Sequence, residues 1–267
     1  MQGRVLIVAG SDSGGGAGIQ ADIKSVTALG GYAATAITAL TAQDTRDVHA
    51  IFEVPADFIA QQMAVVLDDI GADCVKTGML HSAAVIEAVT AMLEARAADI
   101  PLVVDPVMHA KGGAELLQPA AREALMSRLI PCAAVLTPNL PEAQSLSGVR
   151  IESAGQMAEV ATMLLALGPR AVLLKGGHLE GDTVRDVLAV AGGVKVFESP
   201  RVHSTSTHGT GCTLASAIAT GIAQGLAIPQ AVGRARDYVR EAIRSAPGLG
   251  RGDGPLNHGQ TVRDFPA

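Results

Sequence analysis

The feature that most constrains this chain is an alternation. Short, almost unbroken apolar runs occur at residues 5–9, 34–40, 74–77, 102–105, 135–137 and 172–175. Longer segments with helical spacing lie between them, at 17–29, 57–70, 83–96, 120–129 and 154–167. A strand that is apolar along its whole length is buried on both faces, and a sheet of such strands needs helices above and below it. The βαβα order therefore predicts an α/β fold with a mostly parallel central sheet covered on both faces. After Gly181 the rhythm changes. Residues 184–190 and 194–198, joined by Ala191-Gly192-Gly193, read as a hairpin, and two helices follow at about 209–225 and 229–245. The stretch P-G-L-G-R-G-D-G-P-L-N-H-G predicts an irregular, partly mobile tail over about 250–267. No linker, charge block or repeat interrupts the pattern, so a single domain over 1–267 is expected.

Composition removes several classes of function. The net charge is −6, which disfavours phosphate backbones, and aromatics are 2% with no Trp, too few for base-stacking platforms. A nucleic-acid partner is not expected. Cys74, Cys132 and Cys212 are far apart and form no C-x-x-C pair, which argues against a zinc site or a disulfide framework. The apolar run near the N-terminus is short and flows into a glycine loop, and no stretch has transmembrane length. A cytoplasmic protein without membrane contact is expected.

In an open parallel sheet, ligands bind beyond the C-terminal ends of the strands, and the unusual residues of this sequence follow its strands. After the first comes a glycine loop from Gly10 to Gly18, with Asp12 before and Asp22 after its last glycines. It lacks the G-K-[ST] of a Walker A loop. Gly16-Ala17-Gly18-Ile19-Gln20-Ala21 matches a relaxed dinucleotide fingerprint, but no strand ends in an acid about 20 residues on. A turn that only packs a helix on the sheet competes with a ligand loop of another kind. Gln43 follows the second strand; its amide both donates and accepts, which suits a heterocycle edge, although a solvated glutamine fits the pattern better. Met79 and Met108 line a pocket or fill the core, with core the default.

Asp105 stands at a strand end before Pro106, a candidate for magnesium or phosphate-linked water, with helix capping as the alternative. Asn139 and Glu142, three apart after Thr137-Pro138, suit magnesium or its waters, but equally form a capping box, and on spacing alone the capping box wins. Lys175 begins K-G-G-H, a cation beside flexible backbone. Gly209-Thr210-Gly211 precedes an apolar helix whose first amides make an anion site. Cys212 falls in that first turn, where a thiol pKa is expected to be lowered. The competing reading is a small buried apolar side chain.

Taken together, A-G-S-D-S-G-G-G-A-G-I-Q-A-D (9–22), T-A-L-T-A-Q (38–43), V-K-T-G-M-L (75–80), D-P-V-M (105–108), T-P-N-L-P-E-A (137–143), K-G-G-H (175–178) and T-H-G-T-G-C-T-L (207–214) resemble the hydroxymethylpyrimidine/phosphomethylpyrimidine kinases of the ribokinase superfamily. The resemblance runs to G-D-G-P-L-N-H (252–258). It implies a ribokinase-like three-layer sandwich with a C-terminal hairpin. It also implies an enzyme of thiamine biosynthesis that uses ATP and Mg2+ to phosphorylate 4-amino-5-hydroxymethyl-2-methylpyrimidine and then its monophosphate. On this resemblance Gln43 binds the aminopyrimidine, and Gly10, Asp22, Met79 and Val107 line its pocket. Asn139 and Glu142 hold magnesium through water, and Gly209, Thr210 and Gly211 form the anion hole. Cys212 stands where related kinases carry Asp, either as base or as a positioning group. Asp105, Thr137 and Lys175 are assigned to ATP and its phosphates, with Lys111 reaching them from a flap. A homodimer is also implied. His109 departs from the family's usual apolar residue and bears on substrate preference. The nearest alternative is a pyridoxal or pyridoxine kinase; a non-catalytic pyrimidine-binding protein and a nicotinamide enzyme are weaker.

Overall fold

The computed structural model describes residues 2–109, 113 and 116–262. One nine-stranded sheet runs through it in the order β3-β2-β1-β4-β5-β6-β7-β8-β9. Its strands are β1 (Arg4–Asp12), β2 (Tyr32–Gln43), β3 (Val48–Glu53), β4 (Cys74–Thr77), β5 (Leu102–Val104), β6 (Val135–Leu136), β7 (Ala171–Leu174), β8 (Thr183–Val190) and β9 (Gly193–Pro200). The six central strands, β2 to β7 in that order, are parallel; β3 and β8 run antiparallel to their neighbours. The expected hairpin is β8–β9.

Alternation along β1 sets the layers. Val5, Ile7 and Ala9 face a core shared with α1 (Gly18–Ala28), α7 (Thr210–Ala223) and α8 (Ile228–Arg244). Leu6 and Val8 face the opposite core, built with α2 (Ala56–Asp69), α3 (Ala83–Arg96), α4 (Ala121–Ala124), α5 (Leu140–Ser147) and α6 (Ala154–Leu165). This is the three-layer α/β sandwich that the apolar runs predict. Strand β4 and helix α3 fall on their expected residues.

Two differences have local causes. Strand β3, V-H-A-I-F-E, was not expected: it pairs on one side only and all but its first residue are exposed, so it lacks the buried β-branched run that marks the central strands. The helix expected over 120–129 is broken: after α4 the chain makes a π-helical turn over Leu125–Leu129 and a 3-10 turn over Ile130–Cys132. Pro131, inside that last turn, has no amide hydrogen to continue an α-helix.

From β1 the chain moves to β2 on one side and later to β4 on the other. Right-handed crossovers in opposite directions place their helices on opposite faces. The crevice at this switch point lies beyond the C-terminal ends of β1 and β4, where ligands bind in open α/β sheets.

Candidate active site

A cavity of about 720 Å³ opens at these strand ends. Gly10, Gln43, Met79 and Val107 line it at one end, with Asp105, Asn139, Glu142 and Lys175 elsewhere on the wall and Gly209, Thr210, Gly211 and Cys212 on α7 between them. These residues come from loops far apart in sequence. Three expected site residues stand differently. Asp22 is fully buried and absent from the wall; it sits behind Lys76, with both carboxylate oxygens on Lys76 Nζ (2.9 and 2.8 Å). Thr137 is also behind the wall, its hydroxyl donating to Asp105 Oδ1 at 3.2 Å. Lys111 lies outside the described residues. His109 is on the wall and exposed.

The start of α7, expected to be an anion site, is a glycine-capped helix N-terminus. Gly209 caps the helix with φ +79°, and a Cβ there would lie 1.8 Å from the Gly16 carbonyl oxygen. The glycine loop is thus packed directly on the helix terminus. Asp12 holds it there. Its carboxylate accepts from the amides of Gly14 (2.8 Å), Gly16 (3.0 Å) and Ala17 (2.7 Å) and meets His208 Nε2 at 2.9 Å. Burial pushes this carboxyl up, but the His208 and amide hydrogen bonds outweigh it and hold the group below its ordinary value. The loop therefore does pack α1 on the sheet, and its glycines also shape a cavity wall.

Gln43 keeps its recognition edge. Thr41 Oγ1 lies 2.8 Å from the Ser11 carbonyl and 3.1 Å from Gln43 Oε1, and its single hydrogen serves one of them. The Gln43 Nε2 is 3.5 Å from His208 Nε2, at the limit of a hydrogen bond.

Elsewhere the wall is ionic. Lys175 Nζ donates to Asp105 Oδ1 at 2.9 Å, and a Cβ on Gly211 would lie 3.3 Å from the same Nζ. The ammonium therefore abuts the anion site. Asp105 caps no helix. Asn139 and Glu142 form the capping box of α5: Asn139 Oδ1 accepts from the Glu142 amide (2.9 Å), and Glu142 Oε2 accepts from the Asn139 amide (2.8 Å). Burial raises the Glu142 carboxyl to about 7, with Lys175 pulling the other way and Asp105 adding to the rise. Both residues remain on the cavity wall. Among the described residues no group of three or more His, Cys, Asp or Glu side chains is arranged to hold a metal. Two carboxylates beside a lysine and a helix N-terminus do fit a magnesium ion that arrives on phosphates and keeps most of its water.

Cys212 corrects one expectation. Burial pushes its thiol up to about 12, with Asp22 and Asp105 adding to the effect and Lys76 and the Gly18 amide opposing it. The helix terminus alone lowers a thiol pKa, but here two buried carboxylates and desolvation prevail.

Sequence reasoning gave no specific role to Lys76, Asp12 and His208, nor to Asp186, Arg201 and Arg236, all of which line the cavity. Lys76 had a readable signal: a lysine inside a strand buried on both faces requires a charged partner. Arg201 donates to the Gly177, Gly181 and Leu179 carbonyls and so holds the loop between β7 and β8, while Arg236 donates to Asp186 Oδ2 at 2.7 Å and ties α8 to β8.

Fold and site together define a ribokinase-like small-molecule kinase. A crystal structure of Bacillus subtilis pyridoxal kinase with ADP superposes at a TM-score of 0.89, with 35% identity over 97% of this chain and 98% of that one. A phosphomethylpyrimidine kinase from Clostridium difficile superposes at 0.80, with 41% identity over 90% and 99%. The phosphomethylpyrimidine kinase family model matches residues 12–257, and the chain belongs to that family. It is 53% identical over 98% of its length to the thiamine biosynthesis bifunctional protein ThiED of Geobacter sulfurreducens, of which it spans only 54%. It is 48% identical over 96% to the hydroxymethylpyrimidine/phosphomethylpyrimidine kinase of Streptomyces coelicolor, spanning 94% of it. Among the described residues no helix is long and apolar enough to cross a membrane.

Proposed function

We propose that the chain transfers the γ-phosphoryl group of ATP to 4-amino-5-hydroxymethyl-2-methylpyrimidine and then to its monophosphate, in the thiamine pathway of the cytoplasm. The observation that carries this reading is a glycine-capped helix N-terminus, flanked by Lys175, opening into the same cavity as the unsaturated amide edge of Gln43.

Phosphoryl transfer needs in-line positioning and stabilisation of charge spread over the phosphoryl oxygens. The amides at the start of α7 and the Lys175 ammonium supply positive potential. Gly10, Met79 and Val107 hold the ring against the sheet edge while Gln43 reads its amino group and ring nitrogen. Asn139 and Glu142 would hold a magnesium ion through its waters, which would supply neutralisation of phosphate charge there. A thiol raised to about 12 is protonated at rest. Cys212 therefore acts by orienting the hydroxymethyl oxygen, and the alcohol proton leaves late. A loose transition state requires little prior deprotonation of the nucleophile.

The exposed Leu40 and Phe52, paired across β2 and β3, present an apolar edge that a second copy of the chain would cover, forming the homodimer. Sedimentation velocity tests this; a monomer at micromolar concentration would exclude it. The function is tested by ADP release with magnesium, comparing hydroxymethylpyrimidine, its monophosphate and pyridoxal as acceptors. Turnover of both pyrimidines well above pyridoxal is expected. Preference for pyridoxal would move the activity to vitamin B6 salvage.

A further inference from the structure

The G-D-G-P-L-N-H stretch at 252–258 has no part in the chemistry so far, and it is not a loose tail. Its course is fixed at every few residues. The Arg251 and Gly252 amides donate to Thr45 Oγ1 (3.1 and 3.2 Å), two residues beyond Gln43. A Cβ on Gly252 would lie 2.2 Å from the Thr45 carbonyl oxygen, so only glycine fits against that loop. The Gly254 carbonyl accepts from the His208 amide at 3.1 Å, and Pro255 bridges the same residue. The Asn257 amide donates to the Ala242 carbonyl on α8. Leu256 and His258 are buried, at 3% and 4% exposure.

His258 is the end of this path and packs against the first turn of α7. Its Nε2 is 2.9 Å from Thr213 Oγ1, and its carbonyl accepts from the Tyr238 hydroxyl at 2.7 Å. Thr213 follows Cys212 directly, is fully buried, and lies in the first turn of α7, its amide bonded to the Gly209 carbonyl. Lys24, Tyr238 and His208 are the other titratable groups that face the His258 ring or carbonyl. The segment thus touches the loop after Gln43, the residue before the anion-hole glycine, and the residue after Cys212.

We propose that residues 252–258 are a positioning element of the active site, and that His258 fixes the Cys212 turn through the Thr213 hydroxyl. The kinetic part of this inference rests on the kinase reading above. The probe is a set of variants: His258→Ala, His258→Gln, Thr213→Val, and Thr213→Val combined with His258→Ala. Each is measured for thermal melting, for kcat and KM with both substrates, and for alkylation of Cys212 by iodoacetamide, followed by peptide mass spectrometry.

A small displacement of a reacting group lowers turnover steeply, so His258→Ala and Thr213→Val should each reduce kcat by about tenfold or more, with both KM values within about twofold. The double variant should be no slower than the slower single, because one contact is being removed twice. His258→Gln, whose amide oxygen can take the Thr213 hydrogen bond, should recover kcat to within about threefold of the parent. Cys212 alkylation should shift in the same two single variants and return in His258→Gln. A folded His258→Ala with kcat and alkylation unchanged overturns the proposal, as do losses that simply add in the double variant. If His258→Ala does not fold, Thr213→Val and His258→Gln decide by the same criteria. Should the parent protein fail to phosphorylate any pyrimidine while the alkylation pattern holds, the kinase reading falls and the positioning role stands.

Discussion

The two ends of the cavity are built on different principles. At the end we propose for the acceptor, Gly10, Gln43, Met79 and Val107 offer apolar surface and one planar amide, with no ion pair among them. At the end we propose for the phosphates, Lys175 and Asp105 from two strand ends and Glu142 from the first turn of α5 already neutralise one another. The first end can discriminate by shape and by a few hydrogen bonds. The second supplies field strength, and its charges need partners even before a ligand arrives, because an unpaired buried charge is costly. On the proposed function, specificity and catalytic power therefore reside in separable groups, with α7 and the turn that carries Cys212 between them.

The sharpest way to break this division is Lys175→Met. It removes the cation beside Gly211 and leaves Asp105 unpaired, so a kcat loss of about 10²–10³-fold is expected, with pyrimidine affinity by calorimetry little changed. An equal loss at both would show that the ends are not independent. Acid should instead affect the shared floor. Burial lowers His258 from 6.5 to about 4, with Lys24 and His208 adding to the effect. The folded state thus favours the neutral ring. Its contribution is complete above about 6.5 and is lost as pH falls from there to about 4, on the order of 3 kcal/mol in all. Urea titrations across that range should show the slope, and His258→Gln should flatten it.

Next in size is Cys212→Ser. A positioning role leaves this variant within about tenfold of the parent and Cys212→Ala about 10–100-fold down. A general base instead predicts that both fall together and that parent kcat climbs with pH toward 12. The smallest effect belongs to Gln43→Ala. Losing one recognition contact should raise KM for the pyrimidine about tenfold, or about 1.4 kcal/mol, with KM for ATP unchanged. A matching rise for ATP would show that the amide is not confined to the acceptor end.

The layer structure and most of the cavity wall were legible because they depend on local pattern. Apolar strands fix the sheet, and glycines and chain-breaking prolines mark the loops at its edge. Whatever depends on which loops meet was not legible. Cys212 reads from sequence as a lowered thiol at a helix terminus; only the fold buries it, and brings Asp22 and Asp105 close, to reverse that. The family resemblance makes Asp22 a pocket residue, yet it faces inward to neutralise Lys76. The glycine-rich tail reads as irregular and partly mobile, since the partners that order it, among them Thr45, His208, Thr213 and Tyr238, are distant in sequence.

The contact between Gly209 and the Gly16 carbonyl also bears on how such a site can change over generations. A left-handed φ at 209 and a 1.8 Å collision for any added carbon leave no room for even an alanine. Substitution there would have to move the glycine loop, and with it Asp12 and His208. The neighbouring acceptor wall has no comparable lock at Met79 or Val107. Drift in this lineage should therefore accumulate as altered substrate choice around an unvarying phosphate cradle, with new acceptors explored one side chain at a time.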